Sequence, residues 1–144
     1  SSLQPPYSLV KHEAEDELLP FCQENAIGVI VYSPMMSGLL TGSMTPERIL
    51  SLPASDWRSR HSEFHEPRLT RNTALVTLLY EIGKQYEKSP GEVAIAWTLR
   101  NPAVTAAIVG GRRPDQVARI IGASDLHLSE WDLTRLQDFL EKYP

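Results

Sequence analysis

The chain has 144 residues, 42% of them hydrophobic and 22% charged, with a formal net charge of -4 and a pI near 5.5. That composition describes one globular domain with an ordinary core and excludes a disordered or fibrous chain. The acidic balance argues against nucleic acid or an anionic membrane as partner, because those surfaces select clustered Lys and Arg; small molecules and proteins remain.

In chain order, Ser1 to Pro6 carries no basic-then-apolar signal and no initiating Met, so a piece of a longer cytoplasmic protein is expected. A first strand candidate, Leu3 to Leu9, is interrupted by Pro5 and Pro6 and can only be a strand end running into a loop. An amphipathic helix is predicted from about Glu13 to Glu24, with Leu18, Phe21 and Cys22 on one face and an acidic first turn. Cys22 is the one cysteine, so no internal disulfide forms, and a reduced, packed thiol again suggests the cytoplasm. Gly28 to Tyr32 and Thr105 to Val109 are short, unbroken apolar runs ended by Pro or Gly, the pattern of parallel strands buried on both faces.

Between them, residues 43–70 form a long polar connection with a short helix begun at Thr45-Pro46-Glu47; connections of this length are usually functional or mobile. Leu75, Leu78, Leu79, Ile82 and Tyr86 then keep helical spacing within a helix of about Arg71 to Glu87. Ser89-Pro90-Gly91-Glu92 combines an N-cap, Pro at the first helical position and a capping-box Glu, and opens a helix that buries Val93, Ala96 and Trp97. Pro114 opens a short helix to about Ile121, and Ser129 caps a terminal one with Leu133, Leu136 and Leu140 inward. Strands alternating with helices imply a parallel sheet with right-handed crossovers, and three such strands make only part of a barrel or doubly wound sheet.

Two strand ends carry chemistry. Tyr32-Ser33-Pro34-Met35-Met36-Ser37-Gly38-Leu39-Leu40-Thr41-Gly42 offers an aromatic stacking face, hydroxyl donors and glycines for close backbone approach. An ordinary Gly and Pro turn accounts for the same spacing equally well. Val109-Gly110-Gly111-Arg112-Arg113-Pro114-Asp115-Gln116 joins a strand to a helix N-terminus, where free amides, two glycines and Arg112 suit a phosphate, although solvated arginines at a turn are common. His61 and His65 with Glu63 and Glu66 have zinc-compatible spacing, but a solvated loop explains them better. His12 and His127 read as structural or surface residues, and Trp57 and Phe64 either cover a ligand from the long connection or pack against the sheet.

Those two motifs in this order, with Leu3-Gln4-Pro5-Pro6-Tyr7-Ser8-Leu9, the segment Leu52 to Trp57 and the helix Pro90 to Trp97, resemble the aldo-keto reductase family. The resemblance is to its sixth, seventh and eighth strands. It implies that residues 1–144 form the C-terminal, NADPH-binding half of a (β/α)8 TIM barrel, three parallel strands with flanking helices. It also implies roles. Gln4 would hold the nicotinamide carboxamide and Tyr32 would stack on the nicotinamide ring. Ser33, Pro34, Met35, Ser37, Gly38 and Leu39 would line the ribose and pyrophosphate. Gly110, Gly111 and Arg112 would meet the adenosine 2′-phosphate, and Gln116 would approach the adenosine. The chain departs from the family at Ser43, where many relatives have a basic residue, and at Ile120, where many have Asn. The family's catalytic Asp, Tyr, Lys and His lie on the second to fourth strands, so no catalytic residue is assigned here. The expected function is thus the cofactor-holding half of an NADPH-dependent oxidoreductase of aldehydes and ketones, inactive alone. A non-catalytic NADPH-sensing regulatory subunit of the same fold and a protein-interaction fragment are the alternatives, and the open sheet edges would invite self-association.

Overall fold

The computed structural model describes residues 1–111 and 113–144, which leaves Arg112 outside the described residues. Three parallel strands lie in the order β1 (Ser2–Leu3), β2 (Gly28–Tyr32) and β3 (Val104–Ile108). β1 pairs Ser2 with Gly28 and Leu3 with Val29, and then stops as Pro5 and Pro6 remove backbone donors. One further bridge joins Pro6 to Tyr32. β3 pairs with β2 as far as Tyr32 opposite Ile108, with a register irregularity at Val29 and Ile30.

The helices are α1 (Leu18–Glu24), α2 (Pro46–Leu50), α3 (Arg68–Gln85), α4 (Pro90–Leu99), α5 (Pro114–Ala118) and α6 (Glu130–Lys142). α4 starts as the sequence reading requires: Ser89 Oγ accepts from Glu92 N, while the Glu92 carboxylate accepts from Ser89 N. Its buried face is wider than expected. Every residue from Gly91 to Thr98 is buried, as befits a helix that is apolar all round. Tyr7, Val29, Val31, Leu75, Leu79, Ile82, Trp97 and Leu136 join it in one core.

Three expectations are corrected. The first helix is not continuous from Glu13. A 3-10 turn at Glu13–Glu15 precedes α1, whose buried face is Leu19 and Cys22, leaving Leu18 and Phe21 37% and 56% exposed. The helix opened by Pro114 ends at Ala118, and Ile121–Ala123 forms a separate 3-10 turn over the Lys88–Glu92 ion pair, where a side chain at Gly122 would collide. The strands are not buried on both faces. Val29 and Val31 are fully buried, whereas Ile30 is half-buried and Tyr32 exposed, which is the alternation of a strand covered on one side.

The long connection is packed rather than loose. Leu39, Met44, Ile49, Phe64 and Leu69 form a second small core. Buried Glu63 ties it to α3, accepting from Asn72 Nδ2 at 2.8 Å and pairing with Arg68. The histidines serve this folding and are half-buried, not solvated: His61 Nδ1 accepts from Glu63 N at 3.3 Å, and His65 Nε2 lies 2.7 Å from Ser59 O.

Candidate functional site

Because the strands are parallel and adjacent, their C-terminal ends open on one edge, and the loops there collect most of the residues singled out above. Gln4 follows β1 directly and is exposed. Tyr32 ends β2 and is 41% exposed. Its backbone is held from the β1 side, its N–H donating to Pro5 O at 3.1 Å and its carbonyl accepting from Tyr7 N at 3.2 Å. Tyr7 cannot drift, since its ring stacks on Trp97 and its hydroxyl is bonded to Glu15 and to Arg100. Burial first, and the Glu15 hydrogen bond second, push the Tyr7 phenol above its usual range, with Arg100 opposing.

The loop after β2 is wound by left-handed residues. Ser33, Met36 and Ser37 have φ of 57°, 46° and 51°, and Gly38 follows at 92°. Non-glycine residues adopt this region at a cost of about 1–2 kcal/mol each, so the loop must be held by its surroundings. Arg58 supplies part of that hold: it grips Asp56 through Nε at 3.0 Å and Nη2 at 2.6 Å, and donates Nη1 to Ser37 O at 3.3 Å. The Asp56 hydrogen bonds raise the Arg58 guanidinium further above its ordinary pKa. Sequence reasoning missed this contact, because its partners are 21 residues apart and Asp56-Trp57-Arg58 reads locally as a turn.

Within the loop the side chains divide. Ser37 is exposed and Ser33, Met35 and Gly38 are half-buried, whereas Pro34 and Leu39 are buried and leave only backbone for a ligand. Ser43 is exposed and bonds Thr41 Oγ1 at 2.7 Å, while Arg48 donates to its carbonyl at 3.1 Å.

Beyond β3, Gly110 is exposed, and a Cβ there would meet nothing within 4 Å, so a ligand can approach its backbone. Gly111 has a different reason to be glycine: a Cβ would stand 3.0 Å from Val117 Cγ2. Arg112, assigned to the phosphate, lies outside the described residues. Arg113 turns instead to Asp115, bonding its two oxygens at 3.0 and 3.1 Å and holding that carboxyl below the usual carboxylate range. Gln116 is half-buried on α5, and Ile120 is half-buried after it. The edge thus presents an amide, an aromatic ring, two serine hydroxyls and an open glycine backbone, a donor set that fits an aromatic, phosphate-bearing ligand.

A parallel β/α sheet with its loops gathered at the strands' C-terminal edge is the architecture of part of a (β/α) barrel or of a doubly wound sheet. The Aldo/keto reductase family profile matches residues 1–141, and the chain belongs to that family. The aldo-keto reductase YhdN of Bacillus subtilis is 31% identical over 141 residues, covering 97% of this chain and 42% of its own length. The NADH-specific methylglyoxal reductase of Escherichia coli is 28% identical, with 96% of this chain and 41% of its own length covered. A solved glycerol dehydrogenase from Gluconobacter oxydans superposes with a TM-score of 0.86 at 27% identity, over 99% of this chain and 42% of that one. The chain therefore spans about two fifths of the length of these relatives and holds three strands of their barrel.

Proposed function

We propose that this chain is the cofactor-holding part of an NADPH-dependent reductase of aldehydes or ketones. The observation that carries the reading is Tyr32: a half-exposed ring, fixed through its backbone by Tyr7 and Pro5, stands on the middle strand between Gln4 on one side and Gly110 on the other. In this reading Gln4 binds the carboxamide of the nicotinamide and Tyr32 stacks on its ring. Ser33 and Ser37 donate their hydroxyls to ribose and pyrophosphate oxygens, together with the backbone around Pro34, Met35, Gly38 and Leu39. Gly110 and Gly111 admit the adenosine phosphate, Arg112 chelates it, and Gln116 meets the adenosine. When bound, the cofactor supplies a hydride. The chain's own contribution is positional, holding the planar group at one end and the phosphate at the other so that the reacting carbon faces a fixed direction.

Relatives differ in cofactor, one being described as NADH-specific and another as using NADP(+), so the choice of NADPH rests on Arg112. A charge-assisted hydrogen bond of about 1.5–3 kcal/mol corresponds to roughly one to two factors of ten in affinity. Fluorescence titration of NADPH and NADH against wild type and Arg112→Ala should therefore show that loss for NADPH and little change for NADH. Arg113→Ala is the control, because that side chain is engaged by Asp115. Equal losses for both cofactors in Arg112→Ala would remove the basis for NADPH preference.

A further inference from the structure

Helix α6 is fastened at both ends. Near its start, Tyr86 Oη donates to Asp132 Oδ2 at 2.5 Å, and Arg135 pairs with Glu81 of α3 at 2.7 Å. Past its end, Tyr143 leaves the helical conformation and sets its ring 5.0 Å from that of Phe139. Its carbonyl then accepts from Arg71 Nε of α3 at 2.9 Å, across 72 residues of sequence.

The contact continues inward. Arg71 Nη1 donates to Asn72 Oδ1 at 2.9 Å, and Asn72 Nδ2 donates to Glu63 O at 2.9 Å and to Glu63 Oε2 at 2.8 Å. Asn72 is fully buried and Glu63 nearly so. A guanidinium only donates, so Arg71 fixes which way the Asn72 amide points, oxygen outward and nitrogen to Glu63. Without Arg71 a buried amide oxygen is left with no donor, and turning the amide would set that oxygen against the Glu63 carboxylate. Glu63 would keep Arg68, whose side chain is 60% exposed, and follow it toward water. The three contacts therefore form and break together. Arg71 is the weak member: both its acceptors are neutral oxygens, and burial first, with the Arg68 charge adding to it and Glu63 opposing, lowers its pKa. Its position thus depends on the Tyr143 carbonyl staying in place.

Glu63 belongs to a packed unit, residues 56–65. Asp56 and Arg58 pair at 2.6 Å, and the Trp57 ring meets those of Phe64 and His61 edge-on at 5.8 and 5.1 Å. Glu63 N donates to His61 Nδ1, and His65 Nε2 lies 2.7 Å from Ser59 O. From this unit Arg58 reaches Ser37 O. Releasing Glu63 from Asn72 loosens the unit from α3, and with it the hold on the left-handed backbone at Ser37.

We propose that Arg71, Asn72 and Glu63 form a relay through which the seating of Tyr143, past the end of α6, sets how tightly residues 56–65 are held on α3 and, through Arg58, how firmly the loop after β2 is held. An event that lifts Tyr143 then acts on that loop from the far end of α6. The relay does not depend on what the loop binds.

The test is amide hydrogen exchange on the 15N-labelled chain, read at Ser59, Phe64 and His65, whose N–H groups donate to Asp56, His61 and Ser62 inside the unit. Amides of α4 are the control. Tyr143→Gly removes a ring that touches Phe139 and lies outside the unit. It should speed exchange at the three amides about tenfold and leave α4 unchanged. Arg71→Met should do the same, and the two substitutions together should do no more than either alone, because both break one relay. If circular dichroism shows that Arg71→Met disturbs α3, the exposed Tyr143 position carries the test by itself. Unchanged exchange at the three amides in Tyr143→Gly, equal acceleration in α4, or additive effects of the two substitutions would overturn the proposal. The rates are measured without NADPH, so their outcome and that of the cofactor titration are separate.

Discussion

Tyr7 ties the side chemistry of the core to the candidate site. Its phenol is bonded to Glu15 and Arg100, its ring stacks on Trp97, and its N–H holds Tyr32. Because burial raises its folded pKa, the unfolded chain loses this proton first, near pH 10. The stability Tyr7 contributes is therefore complete below about pH 10 and declines as pH rises beyond it. Tyr7 should therefore ionise only as the chain unfolds. Tyr7→Phe should abolish the late step in the tyrosinate absorbance and lower stability by about 1–3 kcal/mol through the bonds left open. Ionisation of Tyr7 near pH 10 in a chain whose circular dichroism stays native would contradict this. None of this is visible locally, since Arg100 is 93 residues from Tyr7. The capping residues Thr45, Ser89 and Ser129 were legible because each bonds an amide three positions on.

At the scale of elements, the turn between α3 and α4 is tightly constrained. Lys88 N donates to Gly83 O at 2.9 Å, Glu87 takes φ of 55°, and a Cβ at Gly83 would strike the Lys88 carbonyl oxygen. Gly83→Ala should therefore destabilise the chain by about 1–3 kcal/mol, the cost of overpacking against backbone. Glu87→Gly at the left-handed position should stabilise it by about 1 kcal/mol. Urea unfolding of both variants checks the pair, and opposite signs are the expected outcome. Helix α4 could be read from its motif and its apolar run. α1 could not be placed as well, because Leu18, Leu19, Phe21 and Cys22 offer two faces at similar spacing. Which face turns inward is decided by contact with β2, and that contact is not written in the periodicity. The long connection reads as polar, and as functional or mobile, because Met44, Ile49 and Phe64 keep no regular period, yet they meet with Leu39 and Leu69 in a core of their own.

For the whole molecule, the order of strands and the family were legible, because two motifs at strand ends and a capped helix occur in a fixed sequence. The uncovered sheet face was not, since an apolar run reads alike whether one or both faces are packed. That face leaves Tyr32 and Ile108 41% and 46% exposed, and among the described residues β1 and β3 each pair on one side only. Light scattering should accordingly show a dimer or larger species, as unpaired edges and apolar faces seek a partner. A monomer with cooperative unfolding would contradict that expectation. Steady-state oxidation of NADPH with a panel of aldehydes should show no turnover by this chain, and activity that follows the protein through purification would refute it.

The claim that the strand ends form one cofactor-holding edge is tested most directly by mapping NADPH onto the 15N-labelled chain. The account predicts saturable shifts that appear together at Gln4, Tyr32, Ser33, Ser37, Gly38 and Gly110 and that are lost in Tyr32→Ala while the fold is kept. Absence of saturable shifts at millimolar NADPH, or shifts confined to residues away from that edge, would contradict it.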